Sequence, residues 1–221
     1  MIELSDFDAV IYDMDGVIID SEPYWKATEI DVFEKVGIDF EKVGGEKTVG
    51  LRIDEVVEYW YGRYPWKGLT TDEVVQLIMT EMINKVSSQG MPLEGVIESI
   101  SFFSEHDKKI GLASSSYHNL IDAVLERLGI RESFSVINSA EDLKYGKPHP
   151  EIYIKTAQEL NVDPTRCLVI EDSMNGIISA KAAKMKVIAI PDGTHSPDRR
   201  IVLADQVEES LITLINSGIK S

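Results

Sequence analysis

Two hydrophobic periods divide this chain. Short apolar runs with little polar alternation stand at residues 7–11, 109–113, 134–137, 167–170 and 187–190. Such runs predict parallel strands covered on both faces. Between them apolar residues recur at helical spacing: Val96, Ile100 and Phe103; then Ile121, Val124, Leu125 and Leu128, closed by Gly129. Further helices are expected at 151–160 and 176–184, and a last one on the stripe Leu211, Leu214 and Ile215. Strand and helix in alternation predict a parallel sheet with helices on both faces and right-handed crossovers. In that architecture ligands bind beyond the carboxyl ends of the strands.

One block breaks the alternation. Ser21 is a candidate helix N-cap with Pro23 in the first turn, and Trp25, Val32, Phe33 and Val36 then share a helical face up to Gly37. A polar, glycine-containing segment covers 39–50. Ile53, Val56, Val57, Trp60, Tyr61 and Tyr64 repeat at helical offsets before Pro65, and Val75, Ile78, Met79, Met82, Ile83 and Val86 do so again. Successive helices without a strand predict an inserted helical domain whose core is these aromatic and methionine stripes. The expected division is a doubly wound α/β core at 1–20 and 91–221, with an inserted all-α domain at 21–90. The stretch before Pro23 and the segment 90–95 serve as its two linkers, and neighbouring linkers make a hinge.

Charge and composition narrow the partners. A formal net charge of −16 argues against nucleic acid and anionic membrane, both of which select basic surfaces. It leaves a small anionic substrate open, because a few local cations or a metal reverse the potential within a pocket. No apolar run approaches the ~20 residues that span a bilayer, and the start lacks a signal-peptide pattern, so a cytoplasmic protein is expected. Cys167, the single cysteine, lies within an apolar run and reads as a packed strand residue. A monomer is expected.

The candidate chemistry stands at the predicted strand ends. Asp13 and Asp15 close the first strand, and their i, i+2 spacing aims two carboxylates at one place, with Gly16 turning the backbone beside them. Like charges so close persist only with a cation between them or with one protonated. Ser114 and Ser115 end the second strand, Glu171 and Asp172 the fourth, and Lys147 precedes the helix that leads to it. Carboxylates at Asp13 and Asp172, with the backbone carbonyl of Asp15, are hard oxygen ligands suited to Mg²⁺. Lys147 can neutralise a phosphoryl oxygen and keep Asp13 ionised as a nucleophile. The Ser114 hydroxyl and Ser115 N–H can bind the remaining phosphoryl oxygens, and Asp15 is free to protonate a leaving oxygen and then deprotonate water. These roles make up phosphoryl transfer through an aspartyl-phosphate.

Four segments carry a resemblance: 13–21 (DMDGVIIDS), 112–116 (LASSS), 146–150 (GKPHP) and 171–176 (EDSMNG). In order and spacing they resemble the motifs of the haloacid dehalogenase superfamily, in its β-phosphoglucomutase-like subfamily with a helical cap. The resemblance implies a Rossmann-like core, Mg²⁺ as cofactor and a small sugar or polyol phosphate as substrate. It implies Asp13 as nucleophile, Asp15 as acid/base, Ser114 and Lys147 as phosphate ligands, and Glu171 and Asp172 at the metal with Asp13 and Asp15. Segment 50–54 (GLRID), Trp60-Tyr61 and Pro65-Trp66 are similar to the hexitol and 2-deoxyglucose-6-phosphate phosphatases, which makes Arg52 a candidate substrate ligand. The mutases of the subfamily carry histidine where this chain has Trp25, which favours hydrolysis. A β-phosphoglucomutase-type transferase remains an alternative, as do a receiver-like signalling domain and a non-catalytic sugar-phosphate-binding module.

Overall fold

The computed structural model describes residues 2–43, 48, 50–191 and 199–220. Its strands are β1 (Ile2–Glu3), β2 (Ala9–Tyr12), β3 (Lys109–Ser114), β4 (Val136–Ser139), β5 (Cys167–Glu171), β6 (Lys186–Ala189), β7 (Gln206–Val207) and β8 (Ile219–Lys220). The helices among the described residues are α1 (Glu22–Lys35), α2 (Phe40–Val43), α3 (Ile53–Arg63), α4 (Thr71–Gln89), α5 (Val96–Glu105), α6 (His118–Leu128), α7 (Glu151–Glu159), α8 (Met174–Ala182) and α9 (Leu211–Thr213).

Six strands form one sheet in the order β4-β3-β2-β5-β6-β7, with every neighbouring pair parallel. The chain steps outward from β2 to β4, then returns to place β5 on the other side of β2. That reversal is a switch point where two crossovers diverge and leave a crevice at the carboxyl ends. Side chains along the central strands part with a period of two. Val10, Tyr12, Leu112, Ile170 and Ile188 pack in one cluster with α5 and α6, whereas Ile11, Ala113, Val169 and Val187 pack in another with α7 and α8. Covering both faces explains why the strands read as unbroken apolar runs.

Register then fixes which residues meet at the rim. Tyr12 pairs with Leu112 on one side and Ile170 on the other, so Asp13 emerges level with Ala113 and Glu171. The Asp13 N–H donates to the Ile170 carbonyl at 3.0 Å, which holds the first carboxylate in line with the sheet.

Helices α1 to α4 follow β2 with no strand between them. Phe33 stacks on Phe40 at 4.8 Å between ring centroids, Phe40 meets Trp60 edge-on at 5.3 Å and Trp66 closes on Phe33 at 6.2 Å. The aromatic stripes are therefore packing. Their cluster is continuous with the α5–α6 side of the sheet. The connections into and out of this block run side by side: Ile19 bridges Pro92 in antiparallel fashion and the Leu93 N–H donates to the Ile18 carbonyl at 3.1 Å.

Several boundaries differ from the pattern. The strand expected at 134–137 is Val136–Ser139, because Phe134 follows a tight turn and packs edge-on against Tyr12 at 6.2 Å. Its apolarity reports core contact and not strand pairing. Strands β1, β7 and β8 have two residues each, too few to leave a period. The last stripe forms α9 and continues as a wider turn over Leu214–Gly218. Residues 44–47 and 49 of the expected polar segment lie outside the described residues. Among the described residues no helix is long and apolar enough to cross a membrane.

Candidate active site

Lys147 is the hub of the site. Its Nζ donates to Asp13 Oδ1 at 2.9 Å, Glu171 Oε1 at 2.7 Å and the Ala113 carbonyl at 3.1 Å. Lys147 is 2% exposed, Asp13 7% and Glu171 0%. A buried ammonium survives only with charge partners and satisfied donors, and here all three donors are used. Burial alone would lower the Lys147 pKa, but Asp13 and Glu171 outweigh it and hold the group well above its ordinary value.

Glu171 is the most firmly held carboxylate. Tyr153 donates its hydroxyl to Oε1 at 2.8 Å, and Ser173 donates its N–H and Oγ–H to Oε2 at 2.9 and 3.0 Å. Burial raises its pKa, but the Lys147 charge and these donors together bring it below the ordinary value. Such close packing needs glycine at Gly176, where a Cβ would stand 1.6 Å from Glu171 Oε1.

Asp13 has less support. Burial, then the neighbouring Glu171 charge, push its pKa up to about 7, and Lys147 offsets only part of this. Lys147 does donate to Asp13, as expected, and its charge works against burial and Glu171 there. Burial, with Glu171 and Asp13 nearby, also holds Asp172 well above the ordinary range. Oxygens of Asp13, Glu171 and Asp172 lie within 4.8 Å of one another. One ammonium against three clustered carboxylates leaves a deficit of positive charge, and a hard divalent cation fits that deficit and those donors. Gly16, at φ +72°, completes the cradle: a Cβ there would stand 2.1 Å from Asp172 Oδ2. Asp13 and Asp172 would hold the ion, with the Asp15 carbonyl as a further oxygen. Both Glu171 oxygens are engaged by protein donors, which suits it to supplying charge at the ion's margin.

The Asp15 side chain follows a different path. Its Oδ1 accepts from Ser21 Oγ at 2.5 Å and from Trp25 Nε1 at 3.0 Å, and its Oδ2 accepts from Ser116 Oγ at 2.8 Å. Ser21 does stand at the N-cap of α1, but its hydroxyl serves Asp15 and makes no cap hydrogen bond. Ser114 is fully buried and its Oγ accepts the Ser116 N–H at 3.0 Å. Ser115 Oγ donates to the Gly50 carbonyl at 3.3 Å, a contact with the segment leading into α3.

Arg52 is not brought to the carboxylates as a free cation. Its Nε and Nη2 donate to Asp54 at 2.6 and 2.7 Å, and its Nη1 donates to the Ala140 and Leu143 carbonyls at 2.9 and 2.8 Å. His118 is half exposed and pairs with Asp142 at 3.0 Å. Pattern reading missed the partners: Tyr153, Ser173, Ser116, Ser21 as an Asp15 donor, and the Trp25 indole. Ser116 and Ser173 lie within the motif segments, and Tyr153 carries no signal beyond a lone aromatic on a helix.

The comparisons agree with this geometry. The family model for haloacid dehalogenase-like hydrolases matches residues 10–190. Hexitol phosphatase B of Escherichia coli strain K12 is 42% identical over 207 residues, 93% of each chain. The β-phosphoglucomutase of Bacillus subtilis strain 168 is 31% identical over 193 residues, 84% of each chain. The crystal structure of β-phosphoglucomutase from Clostridium difficile superposes with a TM-score of 0.81 at 28% identity, covering 94% of this chain and 93% of that one. With its four motif segments gathered at one switch point and that family model spanning most of its length, the chain belongs to the haloacid dehalogenase-like hydrolases.

Proposed function

We propose that the chain is a Mg²⁺-dependent phosphatase acting on small sugar and polyol monophosphates through an aspartyl-phosphate on Asp13. The observation that carries this is the buried Asp13–Lys147–Glu171 chain beside Asp172, a cluster short of positive charge at the switch point. The substrate class follows from hexitol phosphatase B, the relative at 42% identity.

Asp13, Asp172 and the Asp15 carbonyl would hold Mg²⁺, which when bound would supply charge neutralisation for phosphoryl oxygens. Lys147 neutralises a further oxygen and faces Asp13, whose carboxylate attacks phosphorus. Asp15 gives its proton to the leaving alkoxide. It then takes a proton from the water that attacks phosphorus, breaking the bond to Asp13 and releasing inorganic phosphate. The Ser114 hydroxyl and the Ser115 N–H hold the phosphoryl group between the two steps. Arg52 acts by holding the start of α3 against the connection from β4 to α7, and so closes the site over the substrate. A cytoplasmic monomer belongs to the same proposal.

Phosphate release from a panel of hexitol phosphates, 2-deoxyglucose 6-phosphate and β-glucose 1-phosphate tests the reading. Hydrolysis of the sugar and polyol monophosphates is expected. The Bacillus subtilis relative favours one competitor. With a trace of 1,6-bisphosphate, conversion of β-glucose 1-phosphate to glucose 6-phosphate without matching phosphate release would establish a mutase instead.

A further inference from the structure

We propose that Trp25 is a positioning residue for hydrolysis: its indole N–H, together with Ser21, saturates one oxygen of Asp15 and leaves the other to handle the proton. The inference rests on the proposed phosphatase reading, in which Asp15 is the acid/base.

A carboxylate oxygen accepts about two hydrogen bonds. Oδ1 of Asp15 already has two, from Ser21 Oγ at 2.5 Å and Trp25 Nε1 at 3.0 Å. Among the described residues Oδ2 has one, from Ser116 Oγ at 2.8 Å, and so keeps a lone pair. The three donors come from three places: the stretch between β2 and α1, the first turn of α1, and the loop after β3. Together they fix the carboxylate plane. The two serine hydroxyls can rotate and can also accept, whereas the indole N–H can only donate. Trp25 is therefore the one member whose sense of donation is invariant, and it determines which oxygen is spent.

The chemical consequence lies in the second half of the reaction. Water adds its oxygen to phosphorus and gives a proton to Asp15 Oδ2 as the bond to Asp13 breaks, so the attacking water must line up with that one lone pair. A carboxylate free to turn presents either oxygen and loses this alignment. The first half is affected less when the leaving group is already acidic.

The experiment compares wild type, Trp25→Phe and Trp25→His on a hexitol phosphate and on p-nitrophenyl phosphate, with acid-quenched phosphoenzyme measured in the steady state. Trp25→Phe keeps the ring and removes the donor. It is expected to lower kcat about tenfold, in line with one hydrogen bond to a charged group, with KM falling alongside so that kcat/KM stays within about twofold, and with phosphoenzyme accumulating. Trp25→His, which retains a ring N–H, is expected to recover part of the loss. Because substitution in α1 could disturb folding, the indole N–H resonance of Trp25 in the wild type is followed as well, and it is expected to shift in Asp15→Ala. Unchanged kcat in Trp25→Phe, or an unmoved indole resonance in Asp15→Ala, overturns the inference. A wild type that hydrolyses no phosphate ester overturns the phosphatase reading, and the inference with it.

Discussion

Asp13 lies 2.9 Å from a buried ammonium and is still pushed up to about 7, because burial and Glu171 act against that ammonium. The proposed nucleophile, so raised, needs further positive charge to attack as a carboxylate near neutral pH. Removing divalent ions with a chelator should therefore stop phosphate release near pH 7, and added Mg²⁺ should restore it. Release that continues under chelation contradicts this. Gly176 makes a steric prediction: Gly176→Ala directs a methyl at Glu171 Oε1, 1.6 Å away before relaxation. Such overpacking costs ~1–3 kcal/mol and displaces the partner of Lys147, so both the thermal midpoint and kcat should fall. A midpoint and kcat equal to wild type would show that Glu171 is not held as described.

Glu29, half-buried on α1, concerns stability alone. Burial, then the nearby Glu22, push its carboxyl up from the ordinary 4.5 to about 8. A carboxyl raised on folding keeps a proton that the unfolded chain has released, so it subtracts stability as pH rises from about 4.5 to about 8. Glu29→Gln should match wild type at the acid end of that window and melt at a higher temperature at its alkaline end. A melting difference independent of pH would contradict it.

At the level of elements, the start of α3 is fastened to the connection between β4 and α7. Arg52 donates to the Ala140 and Leu143 carbonyls, and the Gly146 N–H, next to Lys147, reaches Glu55 at 3.4 Å. We propose that residues 21–90 move as a cap about the paired linkers and that Arg52 is the clasp of the closed form. Arg52→Ala should speed amide exchange at Ala140 to Leu143 and raise KM several-fold for substrates of every tail chemistry. A rise confined to one tail chemistry would make Arg52 a substrate ligand after all. This role was invisible in the sequence, where a lone arginine before a helix has no partner to read. Elements with several turns or buried runs were legible, because periodicity reports which faces are covered. Strands β1, β7 and β8 were not, since two residues cannot show a period.

Over the whole molecule, a chain of net charge −16 gathers Lys147 among its acidic groups at the switch point, and that one ammonium leaves the site short of positive charge, as the chain is. Asp13, Asp15, Ser114, Lys147, Glu171 and Asp172 could be placed on one rim because parallel strands bring their carboxyl ends together. The Tyr153 hydroxyl on Glu171 and the Ser116 hydroxyl on Asp15 come from other elements, 18 and 101 residues away, which linear spacing does not encode; Ser173 and the Trp25 indole lie nearer in sequence, but the atoms they reach are set by the fold. The central claim is that phosphorus passes through Asp13. The direct test is acid quench of the enzyme during turnover of a hexitol phosphate, followed by peptide mass spectrometry. A phosphoryl group on the peptide carrying Asp13, absent in folded but inactive Asp13→Asn, is the expected result. Undiminished phosphate release by Asp13→Asn would contradict the account.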